Sequence, residues 1–217
     1  MKRMTMHKVL WSFLIVLLCI PTVYAASASD VTDRYEKALL QIKSGDVKAD
    51  FKALRIDCAD SKHECQADPE EIKQMFSLLN ERKFDQVLAK VNQALEKAYV
   101  DAELHYIAYI ANTESGHKEK AEFHKAVIRG ILDSIQENKH GQSEEDAFVV
   151  INVHEEYTFL RFSNMQVTKQ SLTHKDGHYY DVIICKKNRF RHGTRDYRIL
   201  QCRYSHKKFG AGLGKIV

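Results

Sequence analysis

Residues 147–162, AFVVINVHEEYTFLRF, decide the reading of the whole chain, because helical patterns precede them and strand patterns follow. The run is rich in Phe, Val, Ile and Tyr and poor in strong helix formers, which predicts a long central strand. At a period of two, Ala147, Val149, Ile151, Val153, Tyr157 and Phe159 line one face and Asn152, His154, Glu156 and Thr158 the other. Glu155 is the misfit, since a carboxylate on an apolar face needs a counter-charge or hydrogen bonds.

Downstream, Met165–Thr173, Tyr179–Cys185 and Tyr197–Tyr204 carry further strand patterns, separated by Asp176-Gly177 and by a turn at Gly193-Thr194. Connections that short join antiparallel neighbours, which predicts a four-stranded antiparallel meander. Upstream, Tyr35, Ala38, Leu39 and Ile42 recur at helical spacing before Gly45, and Asp50–Arg55 adds a shorter piece. Asp68, Pro69 and Glu71 supply the cap, the first-turn proline and the reciprocal acid of the next helix. From Lys83 three amphipathic segments follow, with Gly116 at a turn and small Ala121 just beyond it. This helix, turn, helix pattern resembles the tetratricopeptide unit, in roughly one and a half degenerate copies. It departs from that unit at His105, where an early aromatic belongs, and in having no closing proline. The expected fold is α+β: tetratricopeptide-like hairpins in residues 26–138 packed against an antiparallel sheet in residues 139–205, with a flexible tail at 206–217.

The first 25 residues have the layout of a secretory signal peptide: Lys2, Arg3 and Lys8, the apolar run Val9–Ile20, Pro21, and small residues ending at Ala25. The apolar run is shorter than the roughly 20 residues of a spanning helix, so cleavage and export to the periplasm or beyond are expected. The remaining chain divides sharply in charge. Ala26–Glu156 holds 17 basic and 26 acidic residues, whereas Tyr157–Val217 holds 13 basic and 3 acidic. Either the halves face and partly neutralise one another, or the basic half meets an anionic membrane surface or a polyanion. An extracytoplasmic setting, and a basic half without aromatic-interleaved motifs, argue against nucleic acid.

Four cysteines lie beyond the signal segment, and in an exported chain an even number favours disulfides. A two-residue turn at Gly193-Thr194 sets Cys185 directly opposite Cys202, with Cβ atoms about 4.5–5.5 Å apart, close enough to bond after small adjustment. Cys58 is then left to Cys65 in a short loop. A rival reading takes Cys58, His63 and Cys65 as metal ligands, with no fourth ligand at a familiar spacing. His174 and His178 form a second, weaker pair. No cofactor motif is found, and the tail glycines lack the spacing of a phosphate loop.

Motifs along the chain carry a resemblance to a family. They are DFKALR at 50–55, LHYIA at 104–108, GILDSI at 130–135, AFVVINVHEEYTFL at 147–160, QSL at 170–172 and YYDV at 179–182. As a set this resembles an uncharacterised family of exported bacterial proteins known only as domain of unknown function forty-nine nineteen. The resemblance implies export and this fold, and no particular activity. Lys139-His140-Gly141 departs from the Gly-Asp-Gly turn of the pattern, which puts a site built on that aspartate in doubt.

No zinc-protease, nucleophile-elbow or dinucleotide motif occurs. The remaining polar candidates are His124, Ser134, Glu155, Glu156, Gln170, Ser171 and Asp181. One reading is a non-enzymatic exported module that binds another envelope protein or a peptide, which expects an exposed apolar groove on the helices. The other is a hydrolase in which Glu155, in an apolar site, and His124 form a general acid/base pair. It expects the two to converge on a cavity, and it fails if a salt bridge caps Glu155 where no cavity opens.

Overall fold

In the computed structural model of the protein, the backbone is described for residues 28–175, 178–187 and 197–204. The expected signal segment, the Gly193-Thr194 turn and the tail from 206 lie outside the described residues, as does the side chain of Cys202. The described elements are α1 (Ala28–Lys43), α2 (Phe51–Asp60), α3 (Pro69–Asn80), α4 (Phe84–Leu95), α5 (Ala102–Glu114) and α6 (Lys118–Gln136), then β1 (Phe148–Val150), α7 (Val153–Phe162), β2 (Met165–Lys175), β3 (His178–Lys187) and β4 (Tyr197–Tyr204). The fold is α+β.

Side-chain caps explain where α2, α3 and α5 begin. Asp50, Asp68 and Asp101 each accept a first-turn amide of α2, α3 and α5, and Pro69 opens α3 where no amide is needed. Gly45 and Gly116, at φ +102 and +78, turn the chain out of α1 and α5. α1 then packs on α2, α3 on α4, α4 on α5 and α5 on α6, and α2 packs against α6. There a Cβ on Gly130 would come within 2.3 Å of the Phe51 ring, so only glycine admits the contact.

Residues 147–162 do not form one long strand. Only Phe148–Val150 pairs as a strand, and Asn152 then caps α7 by accepting the Glu155 amide at 2.8 Å. A capping side chain with an acid three residues on outweighs the β-propensity of the surrounding Val, Ile and Tyr. At helical period Glu155, Glu156, Phe159 and Leu160 turn inward, while Val153 and Tyr157, expected inside, turn to solvent.

The sheet differs from the expected meander for the same reason. β2 pairs antiparallel with β3, and β3 with β4, but β1 lies parallel to β4, giving the order β1-β4-β3-β2. With α7 between them, β1 and β2 cannot close as a hairpin. One hydrophobic core runs through both regions, from Tyr35 and Leu54 through Leu104 and Ile131 to Phe148, Leu160 and Ile183. α7 touches α5, β1 and β2, and so joins the helices to the sheet.

Cys58 and Cys65 form a disulfide, which takes both sulfurs out of reach of a metal ion. The expected bond between Cys185 and Cys202 is not formed, and Cys185 is a free, buried thiol. The register sets Arg198 opposite Cys185 and Cys202 opposite Asp181. That register is displaced by four residues from the one in which a turn at Gly193-Thr194 sets Cys185 opposite Cys202.

Candidate functional site

Glu155 is held by Arg55 of α2. The guanidinium donates from Nε to Oε1 at 2.6 Å and from Nη2 to Oε2 at 2.7 Å, a two-pronged pair. Nη2 also donates to the Val149 carbonyl at 2.7 Å and Nη1 to Ser134 Oγ at 3.0 Å. Glu155 Oε2 accepts the Ile151 amide at 2.8 Å as well. Both side chains are buried, and one guanidinium ties α2, α6, β1 and α7 together. The cavity beside Glu155, lined in part by Asp101, His154 and Thr158, measures about 10 Å³, room for one water at most.

His124 does not reach this pair. It lies ten residues before Ser134 on α6, about 15 Å along the axis. Its Nδ1 instead meets His105 Nδ1 at 3.0 Å, and His105 Nε2 meets the Tyr99 carbonyl at 2.8 Å. A carbonyl only accepts, so His105 carries its proton on Nε2 and His124 donates from Nδ1. Burial, then the facing ring, brings His105 down to about 3; burial, then Lys120, brings His124 down to about 4. The supposed acid/base pair is thus divided between an ion pair and a neutral imidazole pair.

Asp101, given no role by the sequence reading, is a junction. It caps α5 by accepting the Glu103 amide at 2.9 Å, accepts the Ala67 amide at 2.9 Å from the segment leading to α3, and meets His154 Nε2 at 3.1 Å. Glu103 lies 3.7 Å from His154 and 2.9 Å from Arg161. Both ends of α7 are therefore fastened to the first turn of α5. The bond to Asp101 raises His154 above the ordinary histidine value against a cost of burial, with the charges of Asp101 and Glu103 adding and Arg161 opposing. Burial pushes Asp101 up, but His154 and the two amides outweigh it and hold the carboxyl below its usual range.

On the outer side of α7, Tyr157 Oη donates to Gln170 Oε1 and Gln170 Nε2 to Asp181 Oδ2, both at 2.5 Å. That chain of bonds joins the EEY, QSL and YYDV motifs. In the β2–β3 register Gln170 opposes Ile183, Leu172 opposes Asp181 and His174 opposes Tyr179, all on one face. Burial runs out along that face: Ile183 and Asp181 are covered, whereas Leu172 and Tyr179 are 46% and 44% exposed. Val153 and Tyr157, one turn apart on α7, are 46% and 43% exposed. Of the large exposed apolar side chains among the described residues, only Leu40 lies outside this group. Neighbouring β2 carries Lys169 and no acid, and pairs only with β3 among the described residues.

The other candidates have structural or solvent-facing positions. Ser134 serves Arg55, and Ser171 faces solvent. Glu156 is buried under α7, and burial, then Glu156, pushes the Cys185 thiol up to about 11, away from nucleophilic use at neutral pH. His63 packs on Tyr35 and meets Glu36 at 3.2 Å. Among the described residues no group of three metal-ligating side chains converges. The groove between α3 and α4, about 200 Å³, is lined by Glu71, Gln74, Met75, Lys90, Gln93 and Lys97 among others, and is polar where an apolar one was expected.

The family model described as Domain of unknown function (DUF4919) matches residues 59–199. No curated protein and no solved structure matches the chain.

Proposed function

Since the chain belongs to the DUF4919 family, whose description names no activity, its surface has to carry the reading, and we propose an exported, non-enzymatic module that binds an acidic, extended segment of another protein. The observation that carries this is the grouping of Val153, Tyr157, Leu172 and Tyr179 on α7 and the β2–β3 hairpin, beside an outer strand. Apolar side chains gathered beside a strand edge unpaired among the described residues suit an added strand, whose backbone bonds give affinity and whose alternate side chains fill the patch. Charge favours an acidic partner, because residues 157–217 carry 13 basic and 3 acidic side chains. The groups with most chemical capacity already have partners, Glu155 in Arg55, Asp101 in His154, and His105 and His124 in each other, which supports binding over catalysis. The Cys58–Cys65 disulfide supports an oxidising compartment, in line with the signal-like start of the chain. α3 to α6 would then serve as a tetratricopeptide-like scaffold behind the binding face.

The test is site-specific photo-cross-linking in the producing cell, with the reactive group at Leu172 or, as control, at Leu40. The reading expects a discrete protein adduct from position 172 that Lys169→Glu weakens, none from position 40, and no retention on phosphatidylglycerol vesicles. Equal adducts from both positions, or vesicle binding that collapses with salt, would overturn it in favour of chance contact or an anionic surface.

A further inference from the structure

We propose that His154 is a pH-sensitive latch that fastens α7, and with it the Val153 and Tyr157 part of the binding surface, to the first turn of α5. The consequence for binding rests on the function proposed above; the latch itself does not. Two buried acids, Asp101 and Glu103, begin α5, and two cations of α7 face them, His154 near its start and Arg161 in its last turn. Asp101 and Glu103 favour the charged ring, and Arg161 opposes it. The segment before α3 contributes only the Ala67 amide, and Glu155, next in sequence, is committed to Arg55.

With His154 protonated, two positive charges meet two negative ones. Once it is neutral, Asp101 loses its charged partner, and Arg161, whose side chain is 59% exposed, remains on Glu103. A cation near the start of a helix is disfavoured by the helix dipole, and Arg161 of the same helix opposes it, so the charge on His154 is favoured by the carboxylates of α5. The neutral ring keeps its Nε2 proton and one hydrogen bond to Asp101, so the latch loosens and does not fall open. It is tight in mildly acidic surroundings and slack in alkaline ones, and the binding surface is better ordered when tight.

The experiment is hydrogen–deuterium exchange of the chain beginning at Ala26, at pH 6 and pH 9, corrected for the intrinsic pH dependence of exchange. His105 and His124 are neutral throughout that range and do not confuse it. Protection of the α7 amides is expected to fall several-fold at pH 9 relative to those of α4, and His154→Gln is expected to show the slack value at both. An NMR titration of the wild-type His154 ring, expected to have its midpoint above that of a free histidine and to move down in Asp101→Asn, needs no His154 variant to fold. A flat α7 response in the wild type, an unchanged response in His154→Gln, or an ordinary ring midpoint overturns the latch. No partner is used, so such a failure leaves the cross-linking result untouched.

Discussion

Replacing Glu155 by Gln keeps the side chain's shape and removes its charge, and the structure allows the cost to be worked out. Arg55 would sit fully buried with its Val149 and Ser134 bonds intact and no counter-charge. Breaking a buried pair from one side costs about 3–5 kcal/mol, and the surviving bonds place Glu155→Gln near the lower end. Arg55→Met is the costlier change, since it strands the carboxylate on the Ile151 amide alone and orphans the Val149 carbonyl. In the double variant neither charge of the pair is left, and the main residual loss is the orphaned carbonyl, about 1–3 kcal/mol. The double variant must therefore cost less than the sum of the singles by at least roughly 2 kcal/mol. Urea denaturation followed by far-UV circular dichroism reads this directly. With a slope of about 2 kcal/mol per molar, Glu155→Gln lowers the midpoint by about 1.5 M at unchanged slope. Simple additivity, or a midpoint within about 0.3 M of wild type, would refute the assignment of Glu155 to Arg55.

Three further outcomes follow from the same geometry. Gly130→Ala is destabilising by about 1–3 kcal/mol although alanine favours helix, because its methyl meets the Phe51 ring, and Phe51→Leu in the same chain recovers part of the loss in urea midpoint. Stability falls on both sides of neutrality. His105 and His124, depressed in the folded chain, contribute fully above about pH 6.5 and lose about 1.4 kcal/mol each per unit as pH drops toward their folded values; His154, raised, contributes fully below the free-histidine value and loses strength as pH rises through its folded one. His124→Gln should flatten the acid limb of a pH series of urea midpoints, and His154→Gln the alkaline limb. The Cys58–Cys65 disulfide, with a sequence separation of 7, contributes about 2.5 kcal/mol by restricting the unfolded chain, so Cys58→Ala with Cys65→Ser should lower the urea midpoint by about 1 M.

Much of the helical half was legible because its punctuation is local. Asp68 with Pro69, Gly45 and Gly116 mark helix ends by chemistry that acts within one turn. Residues 147–162 misled because two local signals compete there. Val, Ile and Tyr favour a strand, and Asn152 with Glu155 favours a helix start, which prevails once α7 can be buried between α5 and the sheet. Glu155 was a correct warning that a buried carboxylate needed a partner, yet Arg55 stands 100 residues away and no spacing points to it. The pairing of Cys185 with Cys202 failed on register, four residues away from the one that a turn centred on Gly193 implies, and a lone Gly193 between basic residues does not fix that register. The His105–His124 contact, 19 residues apart on adjacent helices, needed the packing to be seen.

On the proposed function, the polar groups of the interior are fasteners and the exposed side chains of α7 and the hairpin do the binding. The most direct measurement is the yield of partner adduct, cross-linked through Tyr179, from folded Leu172→Glu and folded His124→Gln chains compared with wild type. Loss of the adduct in Leu172→Glu and its retention in His124→Gln is the predicted result. Retention in Leu172→Glu together with loss in His124→Gln would contradict the account.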